Sequence, residues 1–219
     1  MKIISTKDAH QDGVKMIVYG ASGVGKTTLI RTAPNPFIIS SESGLLSLAD
    51  QDIPAVEVKT EDDLKEVYEY VLKSKYDTIC LDSLSDIAET LLSGYKDKFS
   101  DGRQAYGKLN DVMSKYIRLF RDIKGKNVYM TAKEAKVEIN GVIVAQPSMP
   151  GSTLTINLPY FVDMVLRLES SKKEDRVIHS KASFTQVCKD RSNKLDAKEV
   201  PNLGHIIRKI TGGNTNGNA

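Results

Sequence analysis

Apolar and polar positions follow two different periods along this chain, and their order predicts how its layers stack. Val14–Tyr19 is an apolar run that ends at Gly20, and the spacing beyond it predicts a helix through Arg31. Pro34 and Pro36 bracket the exit, and Phe37–Ser40 reads as a second buried strand. In residues 61–75, Leu64, Val67, Val71 and Leu72 fall at helical spacing. Acidic residues occupy the first turn and lysines the last, the order a helix dipole favours. Thr78–Leu81 predicts a strand ending at Asp82, and a helical segment follows it to Leu92. Leu109, Val112, Tyr116, Phe120 and Ile123 line one face of a helix that Gly125 terminates.

The pattern then turns to strands. Val128–Thr131 is one, and the stretches AKVEI and VIVAQ are joined by Asn140-Gly141, the residue pair of a type I′ hairpin. Met164–Leu168, Arg176–His179 and Thr185–Lys189 predict a β-rich last third, closed by a short helix over Leu203–Ile210. Strand–helix alternation followed by antiparallel strands implies an α/β fold. Its mainly parallel central sheet has helices on both faces and an antiparallel β extension in the C-terminal third. There is no internal repeat. Residues 1–211 read as a single domain, and 212–219 (GGNTNGNA) as a disordered tail with nothing to bury.

Composition narrows the class without naming a function. The 219 residues are 40% hydrophobic and 27% charged, so wholesale disorder is excluded. No run is apolar enough to span a bilayer, and charges crowd the first twenty residues, which leaves no signal-peptide core. Cys80 and Cys188 lie in separate strand-like stretches, too few for a disulfide scaffold or a zinc site; a reducing cytoplasm is the expected compartment. A net charge of +3 does not signal nucleic acid. Residues 103–126, however, carry seven basic side chains against Asp111 and Asp122, either a polyanion-attracting patch or an ordinary solvated face.

The strongest chemical signal is Gly20-Ala21-Ser22-Gly23-Val24-Gly25-Lys26-Thr27, which fits G-x-x-x-x-G-K-[ST] between a strand and a helix. Glycines let successive backbone N–H groups curl around phosphate, and the helix start adds its positive end. Lys26 can reach the β- and γ-phosphates, Thr27 can ligate Mg²⁺, and Thr28 continues the cradle. ATP and Mg²⁺ are therefore the expected cofactors. Asp82, 56 residues after Lys26, ends a buried strand where a second Mg²⁺-ordering carboxylate belongs; its alternative role is a helix cap, since Asp82 or Ser83 can cap the helix that follows. Because Ser83 rather than Glu follows Asp82, the catalytic base must come from elsewhere. Glu42, at the end of the second strand, is the candidate, its alternative being a first-turn glutamate near a helix start.

GASGVGKT, the strand-then-Glu of IISSES and the strand-then-Asp-Ser of TICLDS together resemble the RecA/DnaB/KaiC-like core. QAYGKLNDVM, VYMTAKE, QPSMPGSTLTINLPYFVDMVLRL and the late CKDRSNKL are similar to a phage-encoded subgroup. Its members have a single RecA-like ATPase domain and are typified by Sak-type single-strand-annealing proteins. The resemblance covers roughly residues 14–210. It implies a γ-phosphate sensor at the end of the strand beside Asp82, either Thr131 or Lys133; relatives often carry histidine where this chain has Lys133. It also implies that Lys189-Asp190-Arg191 matches the K-x-R element inserted into a neighbour's ATP site, where positive charge supplied in trans stabilises phosphoryl transfer. Read without the resemblance, the same residues are a basic turn after a strand.

The resemblance further implies self-association into a ring or filament, single-stranded DNA as partner, and a single-strand-binding protein beside it. DNA would meet the loops after the third and fourth core strands, roughly residues 93–108 and 133–152. The first contains Lys96, Lys98, Arg103, Tyr106 and Lys108, a backbone-and-stacking set. Three readings follow: an oligomeric ATPase acting on single-stranded DNA in recombination or annealing, a DnaB-like helicase core, or an ATP-dependent switch that binds a protein and no DNA.

Overall fold

Strand alternation on Lys15–Gly20 (β1) decides the architecture. Ile17 and Tyr19 face one apolar cluster, Met16 and Val18 the other, and all six residues of the strand are buried. A strand buried on both faces needs helices on both sides. The computed structural model describes residues 13–42, 44–170 and 175–213. Among them the strands β2 (Pro36–Ser40), β3 (Ala55–Glu57), β4 (Thr78–Leu81) and β5 (Asn127–Ile139) follow β1 in chain order. After them come β6 (Val142–Ser148), β7 (Met164–Ser170), β8 (Arg176–His179), β9 (Lys189–Asp190) and β10 (Lys198–Glu199). The sheet runs β10-β8-β7-β1-β5-β4-β2-β3, with β6 on β5 and β9 on β7.

The pairings from β7 through β1, β5, β4 and β2 to β3 are parallel; those of β6, β8, β9 and β10 are antiparallel. The fold is thus α/β with a mainly parallel sheet and an antiparallel extension, as the pattern predicts. Helices α1 (Glu61–Lys73), α2 (Leu84–Lys98), α3 (Gly102–Arg121) and α4 (Ser152–Phe161) cover one face. A 3₁₀ helix at Thr27–Thr32 and α5 (Leu203–Thr211) cover the other. Helix α1 starts with a capping box in which the Thr60 side chain accepts from the Asp63 N–H and Asp63 accepts from the Thr60 N–H.

Some expectations are corrected. The helix after Gly25 is a 3₁₀ helix over Thr27–Thr32, and it ends there because Pro34 forces Ala33 into an extended conformation (φ −80°, ψ 147°). Val128–Thr131 is only the start of β5, which continues without a break into the hairpin; Asn140 and Gly141 turn it at φ 52° and 78°. Thr185–Lys189 is not a continuous strand. Ala145 donates its N–H to Thr185 and accepts from Val187, so this segment crosses from β6 before Lys189–Asp190 pairs with β7. Residues 93–108 form no loop: they are the end of α2, a short link and the start of α3. Residues 133–152 are mostly the β5–β6 ladder. Of the tail expected over 212–219, Gly212 caps α5 in the left-handed conformation, and 214–219 lie outside the described residues. Of the first twenty residues, in which no signal-peptide core is expected, 1–12 also lie outside them. No helix among the described residues is long and apolar enough to cross a membrane.

Candidate nucleotide-binding site

At the carboxyl end of β1 the chain turns through Ala21–Lys26 in a conformation that needs its glycines. Gly23 and Gly25 have φ of 73° and 98°, and a Cβ on Gly20 would stand 2.4 Å from the Leu168 carbonyl oxygen. Val24, only 8% exposed, plugs the loop into the core below, while Ala21, Ser22 and Gly23 face solvent. Lys26 Nζ curls back to donate to the carbonyls of Gly20 at 2.8 Å and Ala21 at 3.0 Å. From β5, the Tyr129 hydroxyl donates to the Lys26 carbonyl at 2.8 Å and props the turn. Burial lowers the Lys26 ammonium below its ordinary value; the nearby Asp82 and Asp86 carboxylates oppose that shift.

The opposite wall comes from the ends of β2, β4 and β5. Thr131 and Asp82 are both buried, and the Thr131 hydroxyl donates to Asp82 Oδ1 at 2.5 Å. The Asp82–Ser83 peptide is cis. Ser83, not Asp82, is the N-cap of α2; its side chain accepts from the Asp86 N–H and donates to the Asp86 carboxylate. Lys133 Nζ lies 2.7 Å from Asp86 Oδ1 and 2.7 Å from Glu89 Oε2. Burial pushes the Asp86 carboxyl up, but hydrogen bonds from Lys133 and Ser83 outweigh it and hold the group below its usual value. Glu42 sits exposed at the rim. The Asp86 charge first, then burial and a hydrogen bond shared with Asp86, raise its carboxyl above the usual range, and Lys133 opposes them.

Lys26, Thr27, Glu42, Asp82, Asp86 and Lys133 thus line one open cavity of about 500 Å³. The family model of the AAA domain (AAA_24) matches residues 12–192. The chain belongs to this AAA domain family. No curated protein matches the chain. Among solved structures, a KaiC-like protein of the hyperthermophilic archaeon Pyrococcus horikoshii is similar with a TM-score of 0.42 and 16% identity. That match covers 77% of this chain and 79% of the other.

The AAA domain gathers most of the sequence-predicted residues, but not all. Thr28, on the 3₁₀ turn, and Thr131, fully buried under Asp82, do not line the cavity. Lys189 and Arg191 are remote. In β9 Lys189 pairs with Val165 and Asp190 with Met164, level with Ile17 and Met16 of β1, so they stand about 10 and 13 Å along the strands from Gly20. There Lys189 donates to the Pro159 carbonyl and Arg191 Nη1 pairs with Asp163 at 3.2 Å, its side chain 58% exposed.

Asp86 carries a signature in the sequence. It stands three residues after Ser83, the spacing of an N-capping pattern that turns its carboxylate toward the cap. Glu134 enters the cavity through a register no local pattern reveals, held by Arg167 at 2.8 Å from the neighbouring β7. For a divalent cation the donor set left over is sparse: the Thr27 hydroxyl and the Asp82 carboxylate, since Asp86 is taken up by Lys133 and Ser83, Glu134 by Arg167, and Glu42 stands at the exposed rim. Among the described residues no group of three or more His, Cys, Asp or Glu side chains could hold a metal unaided. That suits Mg²⁺, which keeps several waters and takes its remaining oxygens from phosphates.

Proposed function

We propose that this AAA domain binds and hydrolyses ATP with Mg²⁺ and couples that cycle to single-stranded DNA in recombination or annealing. The observation that carries the ATPase reading is the convergence of Lys26, Thr27, Glu42 and Asp82 on one cavity above the ends of three strands. Backbone N–H groups of Ser22–Thr27 hold the phosphates. Lys26 gives up the Gly20 and Ala21 carbonyls to meet them, an exchange helped by the stronger charge of phosphate. Thr27 and Asp82 would hold Mg²⁺, which neutralises phosphate charge when bound. Glu42, whose raised affinity for a proton suits a base, takes the proton of the attacking water. The Thr131 hydrogen bond holds Asp82 in place at the strand end, and Lys133, tethered to Asp86 and Glu89, stands where a terminal phosphate would recruit it.

The DNA reading draws its support from the phage-encoded, Sak-type resemblance of VYMTAKE, CKDRSNKL and the other quoted segments, which also implies self-association. In that scheme Lys189 and Arg191, far from their own subunit's cavity, enter a neighbour's. Lys96 and Tyr106 pack together at the α2–α3 link, with the ammonium 5.6 Å from the ring centre, and supply one contact for a base or backbone. Lys108 is already engaged by Glu61 at 2.8 Å and contributes less. Binding to a labelled single strand across a salt series, with and without ATP, tests the proposal. ATP-dependent binding that weakens as salt rises is expected. Hydrolysis with no strand binding at any salt contradicts the DNA part, and unwinding of a forked duplex would make it a helicase instead.

A further inference from the structure

Arg176 opens β8, where it pairs with Ser170 of β7, the strand that flanks β1 and its phosphate loop. The side chain reaches back over that loop. A Cβ built on Gly25 would stand only 2.3 Å from Arg176 Nη1 and 3.6 Å from its Cδ. The guanidinium therefore fills the space that the absent side chain of Gly25 leaves.

Arg176 is also half-buried without a counter-charge. Among the described residues no carboxylate pairs with it and no group accepts a hydrogen bond from its guanidinium. The contrast with its neighbours is sharp. Arg167 on β7 meets Glu134 at 2.8 Å and Glu169 at 3.2 Å, and Arg191 meets Asp163. A partly desolvated guanidinium with five donors and no acceptor is costly unless an anion arrives. The nearest built anion-binding feature is the loop it touches.

Sheet order says which part of a nucleotide it would meet. Glu42, Asp82 and Asp86 come from the β2 and β4 side of β1, whereas β8 stands on the other side, beyond β7. A nucleotide whose terminal phosphate faces Glu42 and Asp82 must direct its nucleoside end toward β7 and β8. We propose that Arg176 binds the α- and β-phosphates of the nucleotide seated on Gly20–Thr27, clamping it from the β8 side. This rests on the nucleotide-binding reading above and adds to it a cation supplied by the same subunit.

The test is equilibrium binding of ATP and ADP to wild type, Arg176→Gln and Arg176→Lys, with the melting temperature of each free protein measured alongside. Arg176→Gln should weaken both nucleotides by about 10- to 100-fold, the range for losing a hydrogen bond to a charged group. Arg176→Lys should lose less, since it keeps charge without the bidentate fork. The melting temperature of the free protein should barely move, because among the described residues no partner of Arg176 is lost. Unchanged or tightened affinity in both variants overturns the proposal, as does a loss confined to ATP, which would put Arg176 on the γ-phosphate. If wild type itself binds neither nucleotide, the reading of the loop fails and takes this proposal with it; normal wild-type binding separates the two.

Discussion

The Thr131 hydroxyl, itself fully buried, donates to the Asp82 carboxylate at 2.5 Å between the ends of two neighbouring parallel strands. Thr131 thereby does two jobs: it satisfies a buried carboxylate and fixes which oxygen of Asp82 is left to face the cavity. Removing the hydroxyl while keeping the shape, in Thr131→Val, should destabilise the nucleotide-free protein by about 1.5–3 kcal/mol. Thr131→Ser should recover most of that. Denaturant unfolding measures both, and a Val variant as stable as wild type would show that Asp82 does not need this donor.

Lys26 is the next point of attack. In the free protein it ties the loop to itself through Gly20 and Ala21, and on binding it transfers to phosphate. Lys26→Ala should keep the fold, since the tethers are local, and lose most of its nucleotide affinity. Titration calorimetry beside circular dichroism checks this. A folded variant with wild-type affinity removes Lys26 from the site.

Much of this was legible in the chain. The loop motif needed only its flanking strand and turn, and β4 with Asp82 at its end was readable because four buried residues precede one polar residue. Glu42 was readable only as a position, since its raised proton affinity depends on Asp86, 44 residues later in the sequence. Asp86, Lys133 and Glu134 meet through pairing of β5 with β4 and of β7 with β1, which no local period encodes. Helix α4 is hidden in the sequence because Pro159, which cannot donate to the carbonyl four residues back, lies inside its span of Ser152–Phe161. The short β3 was missed because only three residues pair.

Turnover should depend on acid in a way set by the Glu42–Asp86 pair. The folded-state carboxyl of Glu42 titrates above its ordinary 4.5, chiefly because of the Asp86 charge. Protonated Glu42 favours the fold, so this contribution is complete below 4.5 and fades as pH rises through the higher folded value. Catalysis has the opposite sense: a protonated Glu42 cannot accept a proton, so the rate falls on the acid side at a pH above 4.5. Asp86→Asn should move that acid limb downward. A limb that stays in place in Asp86→Asn contradicts the coupling.

Assembly gives a separate test. If Arg191 serves a neighbour, Arg191→Ala keeps its own nucleotide cavity and binds ATP nearly normally, while turnover falls by roughly 10³-fold or more. Mixed with Lys26→Ala, it should regain activity, because some junctions then pair an intact loop with an intact arginine. Rate against mixing ratio should show a hump under conditions where wild type assembles. A straight line between two inactive endpoints, with co-assembly proven, returns Arg191 to an ordinary surface ion pair with Asp163.

The most direct measurement is single-turnover hydrolysis by Glu42→Gln at saturating ATP, alongside its ATP affinity. Glutamine keeps the size of the side chain and removes only its capacity to take a proton. ATP and Mg²⁺ binding should persist while the hydrolysis rate drops by roughly 10²-fold or more, as for the loss of a general base. A folded, ATP-saturated Glu42→Gln that hydrolyses at the wild-type rate would contradict the account and move the base to another side chain of the cavity, with Asp86 the first to try.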